Sequence, residues 1–180
     1  EATGRGVHEA LKEFFRHPEE VKKTGLNGQL NNQKIIIQGF GNVGLNSAKA
    51  LYEEGATIIG IAEIDGAIFN DNGINIIDLE KYKIENNTIL NFPNTKNIYP
   101  SNDILTYKCD VLIPAALENT ITLKNVDSIK AKLICEAANG PISYRADKKL
   151  NEKGILIIPD IYANAGGVAV SYFEWIRNTS

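Results

Sequence analysis

The stretch 34–44 (KIIIQGFGNVG) constrains the fold of this chain most strongly, because it joins an apolar run to a dense group of glycines. The run 35–37 predicts a buried strand, residues 46–54 predict a helix, and the glycines between them have the spacing G-x-G-x-x-G. In that order the first glycine permits a tight turn, the second lets the backbone approach a pyrophosphate, and the third lets helix and strand pack closely. The pattern therefore favours a dinucleotide site whose phosphates lie at the positive N-terminal end of the helix.

A carboxylate further along the chain supports this interpretation. Glycines also mark ordinary turns, so the motif alone leaves a purely structural turn as the alternative. A second apolar run, 57–62, ends in Glu63, which lies 24 residues after Gly39 and 19 after Gly44. A carboxylate at this distance is suited to accept hydrogen bonds from the ribose hydroxyls of an adenosine. Because it would repel a 2′-phosphate, Glu63 predicts a preference for NAD, and the alternative for this residue is a solvated strand end.

The composition of the 180 residues argues against several classes of function. The formal net charge is −3, so the chain has no basic footprint that would favour nucleic acid as a partner. No apolar run approaches the roughly 18 residues of a membrane helix. Cys109 and Cys135 lie in or beside apolar segments without the spacing of zinc ligands, so we expect buried, reduced thiols and no metal site. The chain starts at Glu1 and contains no methionine, and we therefore expect it to be a piece of a longer polypeptide.

Short apolar runs alternate with helical patterns along the rest of the chain. We expect a hairpin at 64–69, a surface excursion at 86–101, further strands at 110–114, 132–136 and 155–158, and helices at 7–17, 75–84, 122–129, 143–152 and 168–177. This alternation predicts an α/β fold, with a mostly parallel sheet covered by helices on both faces. Residues 1–180 are expected to form one domain of this doubly wound kind.

The carboxyl ends of the predicted strands carry the residues best suited to bind a ligand. Ala115 and Ala116 follow one strand, and their small side chains would let a flat nucleotide approach the backbone. Asn139 follows another strand and offers a donor and an acceptor to a ribose or a carboxamide, although an ordinary Asn-Gly-Pro turn explains it equally well. No nucleophile-and-base pattern, Walker lysine or metal-ligand cluster accompanies them. An oxidoreductase site, in which a bound cofactor supplies the hydride chemistry, is therefore favoured.

Five segments resemble glutamate dehydrogenase, in the Glu/Leu/Phe/Val dehydrogenase family, and they follow the family order along the chain. These segments are 2–7 (ATGRGV), 38–44 (QGFGNVG), 112–116 (LIPAA), 136–141 (EAANGP) and 159–175 (PDIYANAGGVAVSYFEW). The last is long and highly specific, and residues 72–93 look most like the homohexameric type. The resemblance implies the coenzyme-binding half of the enzyme, which is similar to a Rossmann domain with one strand reversed.

The resemblance also implies roles for the residues that match the family motifs. Thr3 would contact the nicotinamide carboxamide, Asn139 would face the nicotinamide side, and Glu63 would take the adenosine ribose. Val168 and Ser171 would line the substrate pocket, where the Ser171 hydroxyl would hydrogen-bond the distal carboxylate of glutamate. The complete set of implied coenzyme-binding residues is Thr3, Gly39, Phe40, Gly41, Asn42, Val43, Gly44, Glu63, Ala115, Ala116 and Asn139.

The reaction that the resemblance implies for the parent protein is oxidative deamination of L-glutamate to 2-oxoglutarate and ammonia, with hydride transfer to NAD or, as the alternative, NADP. The family's substrate domain, which carries the catalytic lysine and the acid–base aspartate, has no match in this chain. We therefore expect the chain alone to bind coenzyme without turnover and to contain no catalytic residue.

Two alternative functions remain open at this stage. The first is a leucine, valine or phenylalanine dehydrogenase, although leucine and valine dehydrogenases are similar enzymes with an apolar residue in place of Ser171. The second is a non-catalytic nucleotide-binding module. We expect the parent to be a homohexamer without nucleic-acid or membrane partners, located in the cytoplasm if it is bacterial and in the mitochondrial matrix if it is eukaryotic.

Overall fold

A seven-stranded sheet forms the centre of the structure, a computed structural model that describes residues 2–116, 120–138 and 140–159, with the backbone alone at 2, 3 and 5. The strands are β1 Lys34–Gln38, β2 Thr57–Glu63, β3 Gly66–Phe69, β4 Lys96–Ile98, β5 Val111–Pro114, β6 Leu133–Cys135 and β7 Leu156–Ile158. The helices are α1 Ala2–Phe15, α2 Pro18–Lys23, α3 Asn42–Glu53, α4 Ile76–Asn86 and α5 Tyr144–Glu152. Short 3₁₀ helices occupy Leu30–Asn32, Ser101–Thr106 and Val126–Ser128.

The strand order across the sheet is β4-β3-β2-β1-β5-β6-β7. β1 pairs in parallel with β2 and β5, and the parallel pairing continues through β6 to β7. β3 pairs antiparallel with both β2 and β4, so among the described strands β3 alone runs in the reverse direction. The predicted α/β fold, with a mostly parallel sheet and one reversed strand, is confirmed.

β1 lies where the chain changes its direction of travel across the sheet. From β1 the chain moves outward through β2, β3 and β4, and it then returns to β5 on the opposite side of β1. Gln38, the last residue of β1, lies opposite Ala62 on one side and Pro114 on the other. In open α/β sheets the crevice beyond the carboxyl ends of two such strands is the usual place for a ligand. The glycine turn that follows Gln38 is at this crevice.

The three consecutive isoleucines of β1 explain how the sheet is covered on both faces. Ile35 and Ile37 belong to one apolar core, which includes Leu51 of α3, whereas Ile36 belongs to a second core that includes Ile104. All three isoleucines of β1 are completely buried. Side chains alternate between the two faces of a strand, so an uninterrupted apolar run requires a covering layer on each side.

Two predicted helices differ from the structure. α3 begins at Asn42 instead of residue 46, because Gly41 is its N-cap and the second half of the glycine motif already forms the first helical turn. The helix predicted at 122–129 is wrong, since only Val126–Ser128 is helical there, as a 3₁₀ turn. The Asn125 side chain accepts from the Thr122 N–H and donates to the Thr120 carbonyl, each over 3.0 Å. Such local side-chain bonds compete with α-helical hydrogen bonding.

The predicted surface excursion at 86–101 contains an unpredicted strand, β4, which pairs with β3 at the edge of the sheet. Its asparagines have a backbone role, because Asn87, Asn91 and Asn94 adopt φ values of 57°, 65° and 64°. Asparagine tolerates this left-handed region better than most residues. The turns built by these asparagines bring a short strand of only three residues back to the sheet, without the alternating pattern that would have predicted it.

The two cysteines lie in the apolar interior, as the sequence predicted. Cys109 and Cys135 are buried and neither is in a disulfide bond. Burial raises the pKa of the Cys109 thiol to about 12, so this thiol stays protonated at neutral pH.

No helix in the described part of the chain combines the length and the apolar character needed to cross a membrane. The helix predicted at 168–177 lies outside the described residues.

Candidate functional site

A cleft of about 460 Å³ opens beyond the carboxyl ends of β1, β2 and β5. Six of the residues predicted to bind a coenzyme line it: Gly39, Phe40, Gly41, Glu63, Ala115 and Ala116. The remaining lining residues are Gln38, Ala62, Ile64, Pro100, Ser101 and Asn102. A wider depression, of about 690 Å³, lies beside Leu123 and Tyr144, but none of the predicted site residues lines it. The described geometry therefore brings these six predicted residues together at one place, beyond the ends of the central strands.

The three glycines of the motif have different surroundings. Gly39 has a φ of +100°, and a Cβ there would lie 3.0 Å from the Ala115 carbonyl oxygen. A Cβ on Gly44 would collide with the carbonyl oxygen of Gly39. A Cβ on Gly41, in contrast, would meet no atom within 4 Å. The first and third glycines are thus required by contacts within the chain, whereas the second faces open space from which a ligand can approach.

The N-terminus of α3 points its backbone amides toward this open space. Gly41 is the N-cap residue and provides no side-chain cap, and Asn42, Val43 and Gly44 form the first turn. The Gly41 carbonyl accepts the first intrahelical bond, from the Leu45 N–H over 2.8 Å. The N–H groups at the start of a helix have no carbonyl partner within that helix, and together with the helix dipole they favour an anion. This end of α3 is suited to hold phosphate oxygens.

Glu63 is held against the glycine turn. Its Oε1 accepts a hydrogen bond from the Phe40 N–H over 2.5 Å, and its Oε2 lies 3.4 Å from the Lys83 ammonium. Lys83 also donates to the Phe40 carbonyl over 3.1 Å and lies 5.5 Å from the centre of the Phe40 ring. The carboxylate at the end of β2 is therefore fixed beside the turn by one backbone amide and one cation.

Lys83 is a site residue that the sequence interpretation missed. It lies on α4, seven residues after Ile76 and four after Leu79, both of which are completely buried. The lysine occupies a position on the apolar face of the helix, which packs against the protein. This spacing could have identified Lys83 as a residue directed toward the protein. Its partner Glu63 is 20 residues away in the chain, and only the folded structure brings the two together.

Gln38 and Asn102 are also missed residues of the cleft. Gln38 is 4% exposed, and its Nε2 donates to the Asn102 Oδ1 over 3.0 Å. The available signal is a polar residue directly after three consecutive isoleucines of β1. Among the twelve residues that line the cleft, Glu63 is the one ionisable group. The lining supports binding and orientation of a ligand, and it contains no nucleophile paired with a base.

Several predicted residues stay outside this geometry. Asn139, Val168 and Ser171 lie outside the described residues. Thr3 belongs to α1, and its side chain is not described. The next residue, Gly4, is so close to α3 that a Cβ there would lie 2.6 Å from the Asn46 Cβ. The backbone at Thr3 is therefore near the first turns of the glycine-motif helix.

Comparison with known proteins identifies similar chains. A family model described as glutamate/leucine/phenylalanine/valine dehydrogenase matches residues 1–180. A mitochondrial glutamate dehydrogenase of Dictyostelium discoideum is 51% identical over 180 residues, covering 100% of this chain and 36% of that protein. A probable glutamate dehydrogenase of Sinorhizobium fredii is 44% identical over 181 residues, covering 99% of this chain and 40% of that protein. The crystal structure of glutamate dehydrogenase from Peptoniphilus asaccharolyticus superposes with a TM-score of 0.69 and 40% identity, covering 98% of this chain and 38% of that one.

These matches agree with the geometry of the cleft and extend over the full length of the chain. The chain spans less than half the length of each of these relatives. The family model nevertheless covers every residue from 1 to 180. This chain therefore belongs to the glutamate/leucine/phenylalanine/valine dehydrogenase family.

Proposed function

We propose that this chain is the coenzyme-binding domain of a glutamate dehydrogenase. The parent protein would oxidatively deaminate L-glutamate to 2-oxoglutarate and ammonia, with hydride transfer to a nicotinamide coenzyme. The observation that carries the proposal is the fixed carboxylate of Glu63 beside the glycine turn, at the crevice between the central strands. The names of the relatives support glutamate as the substrate, since each is a glutamate dehydrogenase or a probable one.

The residues of the cleft fit a dinucleotide. The pyrophosphate would lie against the open backbone at Gly41 and the first amides of α3, while Glu63 would accept from the adenosine ribose. The small side chains of Ala115 and Ala116 leave room for a flat group beside the turn. When bound, the nicotinamide ring would supply the hydride chemistry, and this chain would bind and orient it. Thr3 and Asn139 would face the nicotinamide end.

Discrimination between amino acids would depend on Val168 and Ser171. A hydroxyl at position 171 can donate a hydrogen bond to the distal carboxylate of glutamate, whereas an apolar residue there would suit leucine or valine. The relatives' names favour glutamate over the leucine, valine and phenylalanine alternatives. Substrate profiling of the parent protein would test this point, since a preference for an apolar amino acid would contradict it.

The chain alone should bind coenzyme without turnover. The family segment that carries the catalytic lysine and the acid–base aspartate has no match among these 180 residues, so the substrate side of the reaction would come from elsewhere in the parent. We further propose that the parent is a homohexamer. Deamination of glutamate by the purified chain in the absence of any other domain would contradict this assignment.

The choice between NAD and NADP would depend on two opposite charges at the end of β2. The Glu63 carboxylate can accept from a 2′-hydroxyl and repels a 2′-phosphate, which favours NAD. The Lys83 ammonium, 3.4 Å from that carboxylate, would attract a 2′-phosphate and thereby weaken the discrimination. We therefore propose a preference for NAD that does not exclude NADP.

Calorimetry with NAD and NADP tests this proposal through the Glu63→Ser variant. Removing a charge-assisted hydrogen bond should weaken NAD binding roughly tenfold to a hundredfold. NADP binding should change less or improve, so that the ratio of the NADP dissociation constant to the NAD dissociation constant falls. The Lys83→Met variant should change the ratio in the opposite direction, because it removes the cation that a 2′-phosphate would meet.

Asp65→Ser is the matched control for the loss of a carboxylate. Asp65 lies two residues after Glu63, in the turn between β2 and β3. Its Oδ2 accepts from the Thr88 hydroxyl over 2.7 Å, and Asp65 does not line the cleft. The control should bind both dinucleotides like the unmodified chain. An unchanged ratio of the NADP and NAD dissociation constants in Glu63→Ser would refute the role of Glu63. If the unmodified chain bound neither dinucleotide, this result would favour a non-catalytic module.

A further inference from the structure

Gln38 lines the cleft, and its backbone is held from both sides. The Gln38 carbonyl accepts from the Ala115 N–H over 2.8 Å, on the β5 side. On the β2 side, the N–H of the next residue, Gly39, donates to the Ala62 carbonyl over 2.7 Å. The side chain of Gln38 therefore starts from a fixed point between the two central strands, and it lines the cleft.

The side-chain amide of Gln38 is only half satisfied. Its Nε2 donates to the Asn102 Oδ1 over 3.0 Å, whereas its Oε1 has no hydrogen-bond partner among the residues that the structure describes. Gln38 is 4% exposed, and a buried polar atom without a partner costs free energy. Such an atom needs a reason, and a ligand that completes the hydrogen bond is one.

The orientation of the two amides does not remove this feature. If the oxygen and nitrogen positions of both side chains were exchanged, the Asn102 Nδ2 would donate to Gln38 and the Gln38 Nε2 would be unpaired instead. In either arrangement one polar atom of Gln38 has no partner among the described residues. Adenosine offers both hydrogen-bond donors and hydrogen-bond acceptors, on its ribose hydroxyls and on the edge of its base.

A second buried glutamine, at the other end of the same strand, is bonded differently. Gln33, which precedes β1 at the opposite end, is 2% exposed. Its Nε2 donates to two backbone carbonyls, those of Asn27 and Gln29, each over 2.9 Å. Gln33 thus binds the backbone of the fold, whereas Gln38 binds only the side chain of another cleft residue and keeps a buried oxygen without a partner among the described residues.

The walls of the cleft near Gln38 are suited to the adenosine half of a dinucleotide. Ile64 follows Glu63 and is 94% exposed at the rim, and Pro100 and Ala62 add further apolar surface. A flat base between apolar side chains still has a polar edge that needs partners. We propose that Gln38, oriented by Asn102, hydrogen-bonds the adenosine moiety of the coenzyme and contributes to its selection. Because this inference rests on the proposed function, it presupposes that the chain binds a dinucleotide.

The test is calorimetry on the purified chain with NAD and with nicotinamide hypoxanthine dinucleotide, in which the 6-amino group of the base is replaced by oxygen. Gln38→Met keeps the length of the side chain and removes the amide, so NAD should bind roughly tenfold more weakly. Gln33→Met is the matched control, since it removes a buried amide far from the cleft and should leave the NAD affinity unchanged. Thermal unfolding of each variant separates loss of structure from loss of binding.

The two ligands separate the two donors that adenosine offers. If Gln38 contacts the 6-amino group of the base, the loss in Gln38→Met is seen with NAD and largely absent with the hypoxanthine analogue. If it contacts a ribose hydroxyl, the loss is the same with both ligands, and both results support the proposal. A Gln38→Met variant that binds NAD within about twofold of the unmodified chain would overturn it.

Asn102→Ala provides a second route if Gln38→Met does not fold. Asn102 is exposed, so its replacement should leave the core intact. Losing the hydrogen bond that orients the Gln38 amide should weaken NAD binding by roughly threefold. Unchanged affinity in this variant would contradict the proposal. If the unmodified chain binds neither NAD nor NADP, the proposed function fails together with this inference. If the unmodified chain and both variants bind NAD with the same affinity, only the role of Gln38 is rejected.

Discussion

The two ends of β1 are chemically different. At the amino end, the Gln33 amide donates to two backbone carbonyls and the Lys34 N–H donates to the Asp110 carboxylate over 2.7 Å. At the carboxyl end, Gly41 faces open space and the Gln38 Oε1 has no partner among the described residues. Both ends belong to the same buried strand, so burial alone does not explain the contrast. Polar groups at the amino end serve the fold, whereas the Gln38 oxygen at the carboxyl end has no such role among the described residues, and we propose that a ligand binds there.

The largest expected effect concerns Gly44, which belongs to the fold even though it stands in the ligand motif. A Cβ there would collide with the Gly39 carbonyl oxygen, and the backbone at both positions is held by strand and helix. Gly44→Ala should therefore destabilise the chain by about 3 kcal/mol or more, despite the better helix propensity of alanine. Chemical denaturation followed by circular dichroism would measure this. A Gly44→Ala variant as stable as the unmodified chain would show that the close contact is not rigid.

Gln33→Met should have the next largest effect on stability, and it breaks the hydrogen bonds at the amino end of β1. The Asn27 carbonyl would lose this donor, and the Gln29 carbonyl would keep only the Asn32 N–H. Losing these two hydrogen bonds should reduce the free energy of unfolding by about 1–3 kcal/mol. The same denaturation experiment checks this value. A loss of NAD affinity without a loss of stability in this variant would contradict the proposed difference between the two ends.

Gly41→Ala should leave the fold intact and affect only the ligand. A Cβ at this position meets no atom within 4 Å, and its φ of −78° is allowed for alanine, so stability should stay within about 1 kcal/mol. The added methyl group would stand where the pyrophosphate is proposed to approach, and NAD binding should weaken roughly tenfold. Calorimetry and denaturation on the same preparation would measure both. Unchanged affinity would place the pyrophosphate elsewhere.

The smallest expected effect is pH dependent and lies at Glu54, directly after α3 and at the opposite end of that helix from the glycine turn. The Glu54 Oε1 lies 3.1 Å from the His8 Nε2 and 3.5 Å from the Lys12 ammonium, both on α1. The contact with His8, and then the charge of Lys12, hold the pKa of Glu54 below its ordinary value of 4.5. The charged form is thus favoured in the folded state, so its contribution is present above that value and is lost as the pH falls through the lowered pKa.

Glu54→Gln should reduce stability at neutral pH and have no effect at low pH, where the carboxyl group of the unmodified chain is protonated. The side chain is 36% exposed, so solvent screening limits the loss to about 0.2–1 kcal/mol. Denaturation curves between acid and neutral pH would show the two proteins converging as the pH falls. A constant difference across this range would exclude the carboxylate charge as its source.

Much of the fold follows from local patterns that the amino-acid sequence displays directly. The isoleucines of β1, the glycine motif and the spacing to Glu63 predicted the strand, the turn and the second strand, because each of these features is contained in a short stretch. The reversed strand was expected from the family resemblance and is confirmed. β4 was missed, since three residues after an asparagine-rich turn carry no periodicity, and the predicted helix at 122–129 failed because Asn125 bonds to its own backbone neighbours.

The sequence was enough to identify the dinucleotide turn and its carboxylate, because both are defined by residue type and spacing along a continuous chain. The partners of those residues depend on how distant segments pack. Lys83 reaches Glu63 because the apolar face of α4 packs toward the sheet, and Asn102 reaches Gln38 across 64 residues because the 3₁₀ helix Ser101–Thr106 covers the same face of the sheet. No local pattern encodes these contacts. Burial of apolar side chains brings the distant segments together, and the polar side chains then form hydrogen bonds with the groups that this packing places beside them.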